Sequence, residues 1–309
     1  MTELSRHIKR APQIPDPGLP NSQRHAPSGN CPPMVAGILF LVVSALVVGC
    51  PAWSDDPVIR EYGRWHVGVS YRNGKLVALD FGVPRSVRDE DLKRIAEIVE
   101  LNLEQLNLAG TTVTDASLAL VKHCTQMRKL TLDRTNITDA GLAHLEGFPN
   151  LVWLSLADTE TTDKGLQHVG RCAELERLRL ERTKVSDGGL AHLAKLHQLG
   201  ALYLDDTRVT DRALETIGRL RNLRELSLTG TSVSDTALRH LRGLENLETL
   251  RLNRTQVSDA GLPALHPLRN LRRLDLEETQ VTEAGVAKLR QTMPWVQHVY
   301  FGKRGRIAK

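Results

Sequence analysis

From residue 103 onward the apolar positions of the chain recur every 24 residues, and eight copies succeed one another without a change of length. In the copy 175–198, LERLRLERTKVSDGGLAHLAKLHQ, Leu178 and Leu180 alternate with polar residues and are followed by Val185. Alternation places one set of side chains on one face, so this half predicts a short strand and its exit turn. Leu190, Leu193 and Leu196 then recur every three residues, the inner face of a short helix or 3₁₀ segment. Ser186 and Asp187 stand where a helix begins; they are expected to accept hydrogen bonds from the free amides of the first turn, with the Asp charge suiting the helix dipole. Each unit is thus predicted to be strand, turn, helix. None can bury its seven apolar positions alone, so the units must stack on one another as a solenoid.

Outside 103–294 the pattern changes. Residues 1–33, rich in Pro, Ser, Asn and charge, predict a disordered leader. Residues 34–49, MVAGILFLVVSALVVG, form an uncharged apolar run ending at Cys50, and 51–64 read as a tether. The run is short for a membrane-spanning helix and near the length of an export-signal core. An uncleaved membrane anchor and a buried core helix remain open alternatives. Further on, Trp65, Val67, Val69 and Tyr71 alternate, Asn73-Gly74 suits a type I′ turn, and Val77, Leu79 and Phe81 alternate on the return. This hairpin and the degenerate unit after it predict an N-terminal cap over 65–102. Val296, Val299 and Phe301 predict a last strand within 295–309, which ends in a basic tail.

The spacing Leu-x-x-Leu-x-Leu followed by Thr-x-Val-Ser/Thr-Asp-x-Gly-Leu-x-x-Leu resembles the leucine-rich repeat. It is closest to the subclass with a Thr-Asp-x-Gly-Leu second half, found in exported bacterial repeat proteins and in the substrate arms of F-box proteins. The resemblance implies an α/β solenoid, a curved horseshoe with a parallel sheet on its inner face and short helices on its outer face. Where the family often carries Asn or Cys after the strand, this chain carries Thr at 111, 135, 159, 183, 207, 231, 255 and 279, expected to bond backbone in the neighbouring turn. The stretch Leu46-Val47-Val48-Gly49-Cys50 resembles the lipobox of bacterial lipoproteins, which implies cleavage before Cys50 and acylation of its thiol. Lys9, Arg10 and Arg24 before the apolar run, and Asp55 and Asp56 after it, direct the C-terminal part of the chain outward. The repeats are therefore expected in the cell envelope, membrane-anchored and outside the cytoplasm.

Charge changes the picture only once it is partitioned. The formal net charge is +5, but residues 1–33 and 302–309 hold all of the excess, and 34–301 come to one net negative charge. A near-neutral body argues against a nucleic-acid partner, which needs Lys and Arg clustered on one face. Cys124 and Cys172 occupy a position filled elsewhere by Phe148, Leu196, Leu220 and Leu244, and so read as core residues two repeats apart, beyond disulfide reach. His144, His168, His192 and His240 fall between inward leucines and predict a solvated or partly packed face. The column Asp115, Asp139, Asp163, Asp187, Asp211, Asp235, Asp259 and Glu283 is explained as helix starts. No phosphate loop, nucleophile turn, Cys-x-x-Cys pair or zinc-protease helix occurs, so no catalytic residue, metal or cofactor is expected.

Function is then left to the strand positions that vary. Trp153, Arg177, Arg179, Tyr203, Asp205 and Arg251 point away from the core, Trp153, Arg177, Arg179 and Tyr203 on three successive strands, and Trp, Tyr and Arg are the usual anchors of interfaces. Outward Arg179 is expected to tolerate truncation. The reading is a non-enzymatic module binding a macromolecule, most simply a protein, on its concave sheet. The alternatives are an intracellular F-box-like adaptor and a structural spacer of the envelope.

Overall fold

The computed structural model describes residues 39–41, 68–72, 75–81, 87–98 and 101–302. The leader, Cys50 with its lipobox, the tether, Trp65, Val67, the Asn73-Gly74 turn and the tail from 303 lie outside the described residues. All of the described residues fall in one compact unit. Its strands are β1 (Leu39–Leu41), β2 (Gly68–Arg72), β3 (Lys75–Asp80), β4 (Gln105–Asn107), β5 (Lys129–Thr131), β6 (Trp153–Ser155), β7 (Arg177–Arg179), β8 (Ala201–Tyr203), β9 (Glu225–Ser227), β10 (Thr249–Arg251), β11 (Arg273–Glu277) and β12 (His298–Gly302). They form one sheet in chain order, antiparallel from β1 to β3 and parallel from β3 to β12.

The register follows the leucine period. Leu106 pairs with Leu130, Leu130 with Leu154, Leu154 with Leu178, and so on through Leu274, which pairs with Val299. A parallel sheet in register puts one leucine column beneath another, and all of Leu130, Leu154, Leu178 and Leu202 are fully buried. Leu190, Leu193 and Leu196 close the unit from the helical side, each about 1 % exposed. Some units use an α-helix, as at Asp163–Val169; others use an α-turn that tightens into 3₁₀, as at Asp187–Leu190 and Ala191–Lys195. The sheet on one side and short helices on the other, joined by stacked turns, make this a leucine-rich repeat solenoid.

Several local expectations are corrected. The β2–β3 hairpin forms, but Ser70 pairs with Ala78 and Tyr71 with Leu76, so Val77 is an extra residue on the return strand. Such a bulge shifts the alternation by one. Leu76 is buried in place of Val77, whose carbonyl accepts from Glu104 N–H at 2.7 Å. The Thr column bonds within its own turn instead of to a neighbour. Thr183 Oγ1 donates to Leu180 O at 2.7 Å, and all eight threonines repeat that bond.

It closes a turn whose preceding residue is left-handed. Arg134, Asp158, Arg182, Asp206, Arg254 and Glu278 have φ of 54–56°, a region that costs a side-chain-bearing residue energy. A bond to the next repeat compensates: Arg182 N–H donates to Asp205 O and Asp206 N–H to Thr229 O, both at 2.8 Å. Side chains of this column pair along the rim, Arg182 with Asp158 and Arg254 with Asp206 two repeats away. Gly230 lies between that last pair, and a Cβ there would overlap the Asp206 carboxylate.

The acidic column stands at helix starts as expected, with Asp115, Asp139, Asp163, Asp187, Asp235 and Glu283 in first turns, but the aspartates' hydrogen bonds run to the next repeat. The expected hydroxyl cap forms at Thr114, Thr138, Thr162, Ser258 and Thr282, whose Oγ accepts from an amide of the following turn, but Ser186 caps no amide of its own helix. Its hydroxyl donates to Asp163 Oδ2 at 2.5 Å, and its N–H to Asp163 Oδ1 at 2.7 Å. The same two-pronged grip joins Asp115 to Thr138, Asp139 to Thr162, Asp187 to Thr210, Asp211 to Ser234, Asp235 to Ser258 and Asp259 to Thr282. Asp89 grips Thr114 likewise. Each carboxylate clamps the start of the next helix, so the column is a ladder between repeats. The glycine of Asp-x-Gly-Leu belongs to it: a Cβ on Gly189 would stand 2.5 Å from Asp163 Oδ1.

Candidate functional site

The outward side chains of β5 to β12 join into one network. Trp153, half-buried on β6, carries Lys129 Nζ at 4.6 Å from its ring centre and the Arg177 guanidinium at 4.9 Å. Cations over an indole face are held by its quadrupole. Arg177 Nη2 lies 3.7 Å from Glu225 Oε1, and Tyr203 Oη donates to Glu225 Oε2 at 2.5 Å. Burial, and then that bond to Glu225, push the Tyr203 hydroxyl above its usual pKa, so it stays a donor at neutral pH. Arg251 sits 6.0 Å from the Tyr203 ring and 3.5 Å from Asp275, which Arg273 also grips. Arg273 in turn lies 4.8 Å from the Tyr300 ring.

Trp153, Arg177, Tyr203 and Arg251 are therefore brought together. Arg179 and Asp205 are drawn into bonds within the sheet. Arg179 pairs with Glu181 at 2.8 Å, a carboxylate only 7 % exposed, and lies 3.8 Å from Asp133. Asp205 accepts from Ser227 Oγ and, at 3.0 Å, from Thr229 N–H. Asp133 does the same for Ser155 and Ala157 three repeats earlier, so both aspartates buttress strands.

Two features escaped the sequence pattern. Glu225, on the strand after Tyr203, connects the two aromatic centres. Gly200 and Ala201 replace the larger residues of the repeats on either side, Glu176-Arg177 and Arg224-Glu225, and leave an open groove of about 600 Å³ walled by Trp153, Arg177, Arg224 and Glu225. The signal was present: no other regular unit places two small residues there. The Trp153 Nε1–H is enclosed at this edge and meets no acceptor among the described residues.

The remaining candidates are structural. Cys172 is buried, which pushes its thiol up to about 12, and Cys124 donates to Leu101 O at 3.3 Å. His144, His168 and His240 are half-buried and His192 is exposed. Among the described residues no three His, Cys, Asp or Glu are placed to hold a metal ion, and no helix is long and apolar enough to cross a membrane.

No family model matches the chain, and no curated protein matches it. Solved structures do. The structure of the Leptospira interrogans LRR protein LIC12759 is similar, with a TM-score of 0.55 and 18% identity over 74% of this chain and 60% of that one. The match thus spans less than two thirds of the Leptospira protein. Internalin C2 from Listeria monocytogenes aligns with 23% identity over 73% of this chain and 80% of its own, at a TM-score of 0.46. The likeness to the Leptospira protein is one of fold.

Proposed function

We propose that the chain is a non-enzymatic module that binds a protein partner on its sheet face, held outside the cytoplasm at a membrane by its N-terminal segment. The observation that carries the binding reading is the Trp153–Arg177–Glu225–Tyr203–Arg251 network beside the groove at Gly200 and Ala201. Arginine planes lying on aromatic rings are already ordered, so a partner immobilises them at a reduced entropic cost. Asp205 and Arg179 support that surface from within the sheet, and Trp153, Arg177, Tyr203 and Arg251 meet the partner. Trp153→Ala with Tyr203→Ala is expected to abolish capture of the partner in a cross-linked pull-down from the cell of origin. Intact capture of every partner would leave the spacer reading in its place.

The tether rests on the apolar run 34–49 and on Cys50. Leu39–Leu41 of that run pair antiparallel with β2, and a strand held there is not at the same time in a bilayer. Cleavage before Cys50 removes β1 and leaves β2 as the edge of the sheet. Cys50→Ala is expected to abolish lipid labelling and release the protein from membranes; undiminished labelling would discard the lipoprotein and favour the anchor.

A further inference from the structure

The near-neutral body conceals a segregation of charge. Between the last buried residue of each helix and the strand after it, the chain turns through a short segment whose leucines are buried and whose polar side chains face out, and these segments stack in register. Asn222 Nδ2 donates to His197 O at 2.6 Å, Asn246 to Arg221 O at 3.1 Å, and Asn270 to Glu245 O at 2.9 Å. Along repeats four to eight this flank carries eight lysines and arginines against two acids, Glu245 and Glu248. In the first three repeats the same loops balance, three basic residues against three acidic. Lys195, Arg219, Arg221 and Arg242 are exposed, and none of them has an acidic partner among the described residues. Arg224 shares Glu248 at 3.0 Å. The opposite flank holds the clamp ladder, whose Asp187, Asp211, Asp235 and Asp259 keep its balance negative. The solenoid is electrically two-sided across the strand direction.

We propose that the basic flank of repeats four to eight lies against the anionic headgroups of a lipid bilayer. The N-terminal tether explains why a bilayer is within reach, and the flank's charge is an observation independent of it. The side chains suit a planar anionic surface: each stands at a helix end or in the turn that follows it, these segments form a row, and Lys and Arg near such a surface contribute additively within a Debye length. Reading a duplex by sequence needs an element that enters a groove, and this flank presents none; contact with phosphates alone is told apart from contact with headgroups by the duplex arm of the test below. In this orientation the sheet face stands edge-on to the membrane: Tyr203 and Arg251 stay open to a partner, while the edge of the groove formed by Asn222, Arg224 and Asn246 lies toward the headgroups.

The test is vesicle co-sedimentation of the full chain with phosphatidylcholine alone and with phosphatidylcholine containing phosphatidylglycerol, at rising NaCl. Stronger binding to the anionic vesicles, lost as salt rises, is expected. Arg219→Glu with Arg221→Glu should cut that increment by about tenfold or more. Arg208→Glu with Arg212→Glu, on the opposite flank, should leave it unchanged. No preference for anionic vesicles, or equal losses in the two variants, overturns the proposal. Binding of duplex DNA as tight as that to the anionic vesicles, and equally sensitive to Arg219 and Arg221, would overturn it in favour of nucleic acid. Binding to neutral vesicles reports the apolar run separately, so failure of the tether and failure of the flank are told apart. All four arginines are exposed, and an unchanged thermal unfolding midpoint confirms that the variants fold.

Discussion

Leu178→Ala is expected to lower the stability of the solenoid by about 2–5 kcal/mol, read as a shift of the urea midpoint at unchanged slope. Leu178 has no exposed surface and stands in register between Leu154 and Leu202, so the truncation opens a cavity that both neighbours line. Partial collapse is hindered because those neighbours are held by their own repeats through the sheet. The loss also spreads, since each repeat is stable only through its two interfaces. One position further on, Arg179→Ala is expected to cost about 1–3 kcal/mol, more than an outward residue ordinarily would, because Glu181 is left buried without its partner. Removing Glu181 together with Arg179 should recover part of that loss. Equal losses for Leu178→Ala and the Arg179/Glu181 pair would mean that the burial assigned to this strand is inverted.

Asp211→Ala is expected to cost about 1–3 kcal/mol at neutral pH, and the cost should disappear in acid. The Asp211 carboxylate accepts from Ser234 N–H at 2.7 Å and from the Ser234 and Thr236 hydroxyls, both at 2.6 Å. Burial pushes its pKa up, but these bonds outweigh burial and hold it below the usual aspartate value. A group whose folded pKa is depressed contributes stability that is fully present above its unfolded pKa. That stability is lost as pH falls through the folded value. Asp89, bonded to Thr114 and Ser117, is shifted the same way for the same reason. Urea midpoints measured from neutral pH down should therefore fall below about pH 4 for the parent protein. The gap between parent and Asp211→Ala should close over that range. A gap that persists in acid would show that Asp211 acts by packing rather than by its charge.

What the sequence could say about the site is set by what a repeat makes visible. Trp153, Arg177, Tyr203 and Arg251 stood out because they depart from their columns at positions that alternation turns away from the core. Glu225 and the Gly200-Ala201 pair carried the same kind of signal more faintly, a charge and a gap between larger neighbours. Arg179 and Asp205 looked equivalent to the first four, since facing outward is all that alternation can report. Whether an outward carboxylate is free or bonded to the next strand depends on the donors 22 to 24 residues later, as with Asp205, which meets the Ser227 hydroxyl and the Thr229 backbone N–H.

The 24-residue recurrence by itself determined the strand, the helix, the parallel register and the leucine core, because one period specifies both what is apolar and how often it returns. Only the tertiary structure decided which neighbour each polar group answers to. Asp187 grips the following repeat rather than its own helix, Thr183 closes its own turn rather than the next, and Val77 slips out of alternation. The physical reason is that a repeat makes equivalent positions visible along the chain. A hydrogen bond is settled by the rise and rotation between two units, and those quantities exist only once the units are stacked.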